Sequence, residues 1–503
     1  MGASQSSLAA SHSRPIARPD RSAAKATPDA ELNEKFQAVR LNDDHLYATP
    51  AEGVLSEADS VSRAKAEGYI RQLLKDPKNR LGLSALSTNN PNKVLEIPST
   101  ILKDGQIFNV AIPREGSPIT DQDNSGRCWI FAATNVFRIA IQQKYDIKEF
   151  ELSQAYLFFW DQVEKANYFL ESILDSADED IESRLVSTLT DNPVQDGGQW
   201  DMIVNLVSKY GIVPQALYPD SWNAHNTTTM TSLLTSMLRE DALRLRSAAA
   251  AAKGPGARTR ETREMKDRMM QDVVRVVTLC LGPPPAADDK FTWEFYTGTK
   301  QYKSVSLTPL EFADTTHVKR FISLVNDPRN DLNRLLTVDH LSNVWGGRQV
   351  TYVNVDKEVL KQACVGMLKK GLPVFFGSDV GKQSDGAKGI MDTDLVDYEL
   401  GFNVKLQMSK AERLRTGESK MNHAMVLTAV HLDKDGSPVR WRVENSWSAS
   451  YGTEGYFVMS DPWMDEFCYQ AVVDPSVVDK SVRDVLKQEP KVLPLWDPMG
   501  ALA

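Results

Sequence analysis

The sequence predicts an α+β protein, and two patterns carry that reading. Segments 128–145, 152–163 and 202–210 place apolar residues at helical spacing, so helices dominate the first half. Beyond residue 370 the apolar residues come in short β-branched runs. Leu372-Pro373-Val374-Phe375-Phe376-Gly377 and Met421-Asn422-His423-Ala424-Met425-Val426-Leu427-Thr428-Ala429-Val430 read as buried strands. A chain of 503 residues with 42% hydrophobic content has room for two or three ordinary domains and a large core.

Taken in order, residues 1–30 are rich in Ser, Ala, Pro and Arg and cannot bury a core, which predicts a disordered tail. Met1-Gly2-Ala3-Ser4-Gln5-Ser6 also fits the N-myristoylation pattern at Gly2, and one acyl chain would give marginal membrane binding. The Arg- and Ser-rich, acid-poor character through Arg18 fits a mitochondrial transit segment as well, and the three readings stay open. A helical extension spans 31–100, with Ser56 and Asp59 as an N-cap and its acid, and Pro77 and Asn79 as the stop. A polar, turn-rich passage then runs to Pro98, and Phe108-Asn109-Val110-Ala111-Ile112 is strand-like.

The pattern over 238–282 is helical and broken at Gly254-Pro255-Gly256, inside an insertion of about 230–285. Its Arg244, Arg246, Lys253, Arg258, Arg260, Arg263, Lys266 and Arg268 form the most basic patch of a chain whose net charge is −9. Glu261, Glu264 and Asp267 interleave with them, which predicts a solvated face laced with i,i+3 and i,i+4 pairs. Nucleic-acid or phosphate binding is the alternative, opposed by the acidic total unless oligomerisation gathers the patches. Gly377-Ser378-Asp379-Val380-Gly381-Lys382 is one residue short of a phosphate loop, and Gln383 stands where Ser or Thr is required.

Chemistry concentrates in Gln122-Asp123-Asn124-Ser125-Gly126-Arg127-Cys128-Trp129. A cysteine at a helix start feels the positive end of the macrodipole, which favours the thiolate. A glutamine six positions earlier sits where its amide can donate to an oxyanion. A lone cysteine is more often a small buried hydrophobe, but two later segments change that balance. His423 enters a strand-like run, and Val443-Glu444-Asn445-Ser446-Trp447 follows. An imidazole serves the thiol as base, and an asparagine carbonyl orients the imidazole.

In the order Gln, Cys, His, Asn, with tryptophans beside the cysteine and after the asparagine, these residues resemble the papain family of cysteine peptidases. The resemblance implies Gln122 as oxyanion-hole donor, Cys128 as nucleophile, His423 as base and acid, and Asn445 as the group that orients it. The sequence departs from the family pattern twice: no second cysteine precedes Cys128, and Ser448 stands where the family has glycine after the tryptophan. The long gap between Cys128 and His423, the segment Asp196-Gly197-Gly198-Gln199-Trp200-Asp201, Arg442 to Trp447 and the C-terminal Leu493 to Ala503 resemble the bleomycin-hydrolase branch.

That resemblance implies a papain-like α+β fold, with a helical half over 101–330, a β-barrel-like half over 331–485 and a cleft between them. It adds a projecting helical element and an arm over 486–503 lying in the cleft. Gly197 and Gly198 would bind an extended peptide through their backbone, although a plain turn is the simpler reading of those glycines alone. Trp447 and Ala503 would join them at the substrate. The implied activity is that of an intracellular aminopeptidase, cytoplasmic with a mitochondrial alternative. It would act on peptides with free N-termini and on related bonds such as bleomycin-type amides or homocysteine thiolactone. A homohexamer is the implied assembly. A cysteine endopeptidase and a silent scaffold are the competing functions.

Four dispersed cysteines without a Cys-x-x-Cys pair argue against a disulfide framework or a zinc site, so neither metal nor cofactor is expected. No run of eighteen apolar residues occurs, and no apolar signal region is read near the N-terminus.

Overall fold

The run around His423 becomes the centre of a large sheet. The structure, a computed structural model, describes residues 61–251 and 258–502. The expectations for the tail and Gly2, for Ser56 and Asp59, for the Gly254-Pro255-Gly256 break and for Ala503 lie outside the described residues.

Two units divide after Thr88. In the first, α1 (Arg63–Leu73) is followed by α2 (Pro77–Leu86). Pro77 does not simply end a helix, as the sequence suggested, but opens the next one. It occupies the first turn, where a missing N–H costs nothing, and the Asp76 carboxylate caps Lys78 N–H at 2.8 Å. The passage expected to be turn-rich therefore holds α2 and, in the second unit, the short helices Pro91–Val94 and Pro98–Lys103.

The second unit carries a helical half with α3 (Cys128–Tyr145), α4 (Gln154–Asp175), α5 (Trp200–Tyr210), α6 (Thr228–Ala251) and α7 (Arg260–Leu281). Helix α4 starts on Ser153, whose hydroxyl accepts Tyr156 N–H, and α7 starts on a Thr259–Thr262 capping box. Helices α4, α6 and α7 pack on one another around Phe158, Leu234 and Val273. The basic patch on α6 and α7 finds carboxylates: Arg244 pairs with Glu240, Arg260 with Glu264, and Arg258 and Lys266 both with Glu171.

Fourteen strands are described: β1 (Val110–Ala111), β2 (Phe291–Tyr296), β3 (Tyr302–Leu307), β4 (Ile322–Val325), β5 (Arg334–Val338), β6 (Thr351–Asn354), β7 (Val374–Ser378), β8 (Ser384–Asp385), β9 (Ile390–Met391), β10 (His423–Leu432), β11 (Pro438–Glu444), β12 (Tyr456–Ser460), β13 (Cys468–Val473) and β14 (Lys491–Leu493). Strands β2 and β3 pair as a separate ribbon. The rest form one sheet in the order β14-β5-β6-β4-β13-β7-β10-β11-β12-β9-β8, with β1 also on β10. Strand β10 is buried on both faces because α3 crosses one and α8 (Lys357–Lys369) the other. That sandwich explains its unbroken apolar run, and it carries the start of the sheet strand to the start of the nucleophile helix.

Candidate active site

Helix α3 begins on Cys128 without a side-chain cap, so its first N–H groups stay unclaimed. The backbone N–H groups of Cys128 and Trp129, together with that of Ala424, turn onto the sulfur. Behind them Arg127 is fully buried, 2.6 Å from the Asp220 carboxylate, and its guanidinium lies over the Phe131 and Phe158 rings. The Trp129 indole donates to Asp196 O at 2.6 Å. Gly198 lies against that indole so closely that a Cβ would stand 2.5 Å from the ring. The glycine is there because Trp129 leaves no room for a side chain. Gly197 faces the cavity beside Cys128, and its carbonyl accepts from Lys165 Nζ at 2.7 Å.

The opposite wall is built by sheet register. His423 opens β10, and Asn445 directly follows β11, its antiparallel neighbour. His423 Nε2 donates to Asn445 Oδ1 at 2.8 Å, which leaves Nδ1 as the ring nitrogen free to take a proton. Trp447 covers this contact, its ring 4.9 Å from the imidazole and tilted by 31°. Gln122 belongs to both walls. Its N–H donates to Ser446 O at 2.9 Å, its Oε1 accepts from Ser446 Oγ at 2.7 Å, and its Nε2 donates to Ser125 O at 2.7 Å. These contacts fix which end of the amide is the donor.

A buried ion pair joins the walls a second time: Arg138 on α3 meets Glu444, the residue before Asn445, and both are almost fully buried. Sequence reading passed over Ser446, Lys165 and this pair. The one signal available was an acid next to Asn445 in a strand otherwise buried.

Both reactive groups are buried, and burial acts against the helix start. Burial pushes the Cys128 thiol up to about 11, against the pull of the backbone donors at the helix start. Burial also pushes His423 down to about 4, against its bond to Asn445. The backbone donors at the helix start favour the thiolate, as the sequence implied, while burial of both groups opposes either charged form.

Ser448 receives an explanation here. Its φ is +66°, the left-handed region in which glycine is at ease and serine is strained.

Gln122, Cys128, Asp196, Gly197, His423 and Leu502 line a cavity of about 580 Å³. The C-terminal arm reaches it by parallel pairing of β14 with β5, then by Asp497 on Arg329 at 2.7 Å. A turn at Pro498–Gly500 follows, and Ala501 O accepts from Gln199 Nε2 at 2.7 Å. Leu502 also lines a second cavity, of about 350 Å³, with Met202, Met421 and Trp496. The arm thus stands between the two.

The model of the Peptidase C1-like family matches residues 60–500. Bleomycin hydrolase of Homo sapiens is 43% identical over 460 residues, 89% of this chain and 99% of that one. Cysteine proteinase 1, mitochondrial, of Saccharomyces cerevisiae is 40% identical over 470 residues, 91% of this chain and 96% of that one. The crystal structure of PepW from Lactobacillus rhamnosis superposes with a TM-score of 0.85 at 38% identity, covering 89% of this chain and all of that one. With a papain-like α+β fold and a buried cysteine facing a histidine–asparagine pair, the chain belongs to the Peptidase C1-like family and is a cysteine peptidase similar to bleomycin hydrolase.

Proposed function

We propose that the chain is a cysteine aminopeptidase in which the C-terminal arm limits cleavage to free N-termini. The observation that carries this reading is Leu502 in the lining of the cavity that Cys128 also lines, with Ala501 just before it held on Gln199. An arm there obstructs the cleft beyond the first substrate residue, and the terminal carboxylate adds a negative charge for the substrate's ammonium.

In this reading Cys128 attacks the carbonyl carbon while His423 Nδ1 takes the thiol proton. The oxyanion accepts from the second Gln122 amide hydrogen and from backbone N–H at the helix start. The imidazolium protonates the leaving amine, and water then hydrolyses the thioester with His423 as base. Asn445 orients the ring, and Trp447 keeps water from that bond. Gly197 and Gly198 present backbone to the peptide.

Peptides and related amides with free N-termini are the substrates of this proposal. A cytoplasmic or mitochondrial site fits it, the second because the yeast relative is named mitochondrial. Assembly into a homohexameric ring belongs to the same proposal, and light scattering of the full chain reads it. Deleting Met499 to Ala503 tests the central point. The truncated chain should lose its preference for free over acetylated N-termini and cut blocked peptides internally. Unchanged selectivity would remove the arm from the specificity.

A further inference from the structure

The cavity beside Cys128 is walled by α6, and this wall has a chemical bias. Thr231, Ser232, Thr235 and Ser236 line it along the helix, and Asp196 lines it at the helix's start, bonded to Thr227. The Thr231 hydroxyl donates to Thr227 O at 3.1 Å and that of Ser236 to Ser232 O at 3.1 Å. Their protons are engaged by the helix, so lone pairs remain for the cavity. Asp196 Oδ2 accepts from Gly126 N–H at 3.0 Å and from the Thr227 hydroxyl, while Oδ1 is buried without a partner. Its charge lies close enough to Cys128 to push the thiol pKa further up, after burial. The arginine on this wall, Arg239, is held on Thr190 O at 2.8 Å and Asp191 O at 2.7 Å. Asp191 itself also lines the cavity. The Thr231 and Ser236 hydroxyls thus offer acceptors, and the carboxylates of Asp191 and Asp196 outnumber the one arginine.

We infer that this cavity receives the side chain of the residue whose carbonyl Cys128 attacks, and that Asp196 with the hydroxyls of α6 selects a cationic one. The inference rests on the cysteine-peptidase site and deepens the proposed function by naming a substrate class: chains that begin with arginine or lysine. A guanidinium or ammonium brings only donors, which is what an acceptor wall with an uncompensated carboxylate lacks. A glutamate side chain meets like charge there.

The test uses the full chain and aminoacyl-coumarin amides of arginine, its uncharged analogue citrulline, methionine and glutamate, each free and N-acetylated. In the series that is cleaved, arginine should exceed citrulline in kcat/KM by about tenfold, with glutamate poorest. Asp196→Asn keeps an acceptor for Gly126 and Thr227 but removes the charge, and should bring arginine and citrulline to within about twofold of each other. Ser236→Lys, at an exposed position further along α6, should narrow the same ratio and needs no change near Cys128. Equal rates for arginine and citrulline in the unaltered chain would overturn the inference, as would a ratio unmoved by both substitutions. Cleavage confined to the acetylated series would overturn the aminopeptidase reading alone, because the side-chain ratio is still measured there. Cleavage of neither series would overturn both.

Discussion

The two walls of the cleft hold their reactive groups by different means. On the helical wall the sulfur of Cys128 is surrounded by backbone, the N–H groups at the start of α3 and of Ala424. On the β wall the imidazole of His423 depends on side chains, with Asn445 as its acceptor and Trp447 as its cover. A backbone cradle survives most substitutions of its own residues, whereas a side-chain relay fails one member at a time. The contacts that bridge the walls, Gln122 with Ser446 and Arg138 with Glu444, then set the distance at which two separately built pieces meet.

Substitutions in the two walls should therefore differ in kind. Cys128→Ala should lower peptide hydrolysis by roughly 10⁴-fold or more while circular dichroism stays unchanged, since the cradle does not need the thiol. Wild-type turnover in that variant would end the thiol reading. His423→Ala should cost nearly as much and Asn445→Ala less, because the second removes orientation and leaves the base.

The bridge should be the weak point for stability. Glu444→Ala leaves the Arg138 charge buried without its partner, and urea unfolding should show a loss of about 3–5 kcal/mol. Glu444→Gln, which keeps an acceptor, should lose less. Equal losses would mean that the charge of the pair is irrelevant.

A pH effect should come from the β wall. His423 has a folded pKa of about 4 against an ordinary 6.5, so it contributes stability that is complete above the ordinary value. That contribution is lost as pH falls through the folded one. Its size is roughly 3 kcal/mol. The fall in stability over that window should shrink in His423→Gln. If both chains lost stability in parallel, the histidine would not be its source.

The smallest expected effect lies just past Trp447. Ser448→Gly relieves a side chain at φ +66° and should raise stability by about 0.5 kcal/mol. A loss would show that the Ser448–Ser450 hydroxyl contact, 2.6 Å long, outweighs the strain.

Much of this site was legible before any coordinates, because its chemistry is local in the chain. The spacing from Gln122 to Cys128 and the apolar run after it describe a thiol at a helix start, and α3 begins on that residue. Seven of the ten residues of β10 are apolar because both its faces are covered, and a histidine at the head of such a run stands out. Pro77 and Asn79 do mark the end of α1, Asn79 donating to Leu73 O at 3.0 Å, and what the sequence did not show is that Pro77 also opens the next helix. Gly198 was read for its backbone, and only the packed indole of Trp129 reveals why no side chain fits there.

The sequence by itself thus determined the reactive groups, their order and the elements that present them, since those follow from spacing and periodicity within short segments. Tertiary structure decided the rest. It brought His423 against α3 across the intervening chain, paired Arg138 with Glu444, and set Leu502 in the lining of the cavity that Cys128 also lines. It also decided how strongly burial opposes charge at the site. A helix start acts on its own cysteine wherever it lies, but the burial that opposes the charged forms of Cys128 and His423 arises only when both walls close on them.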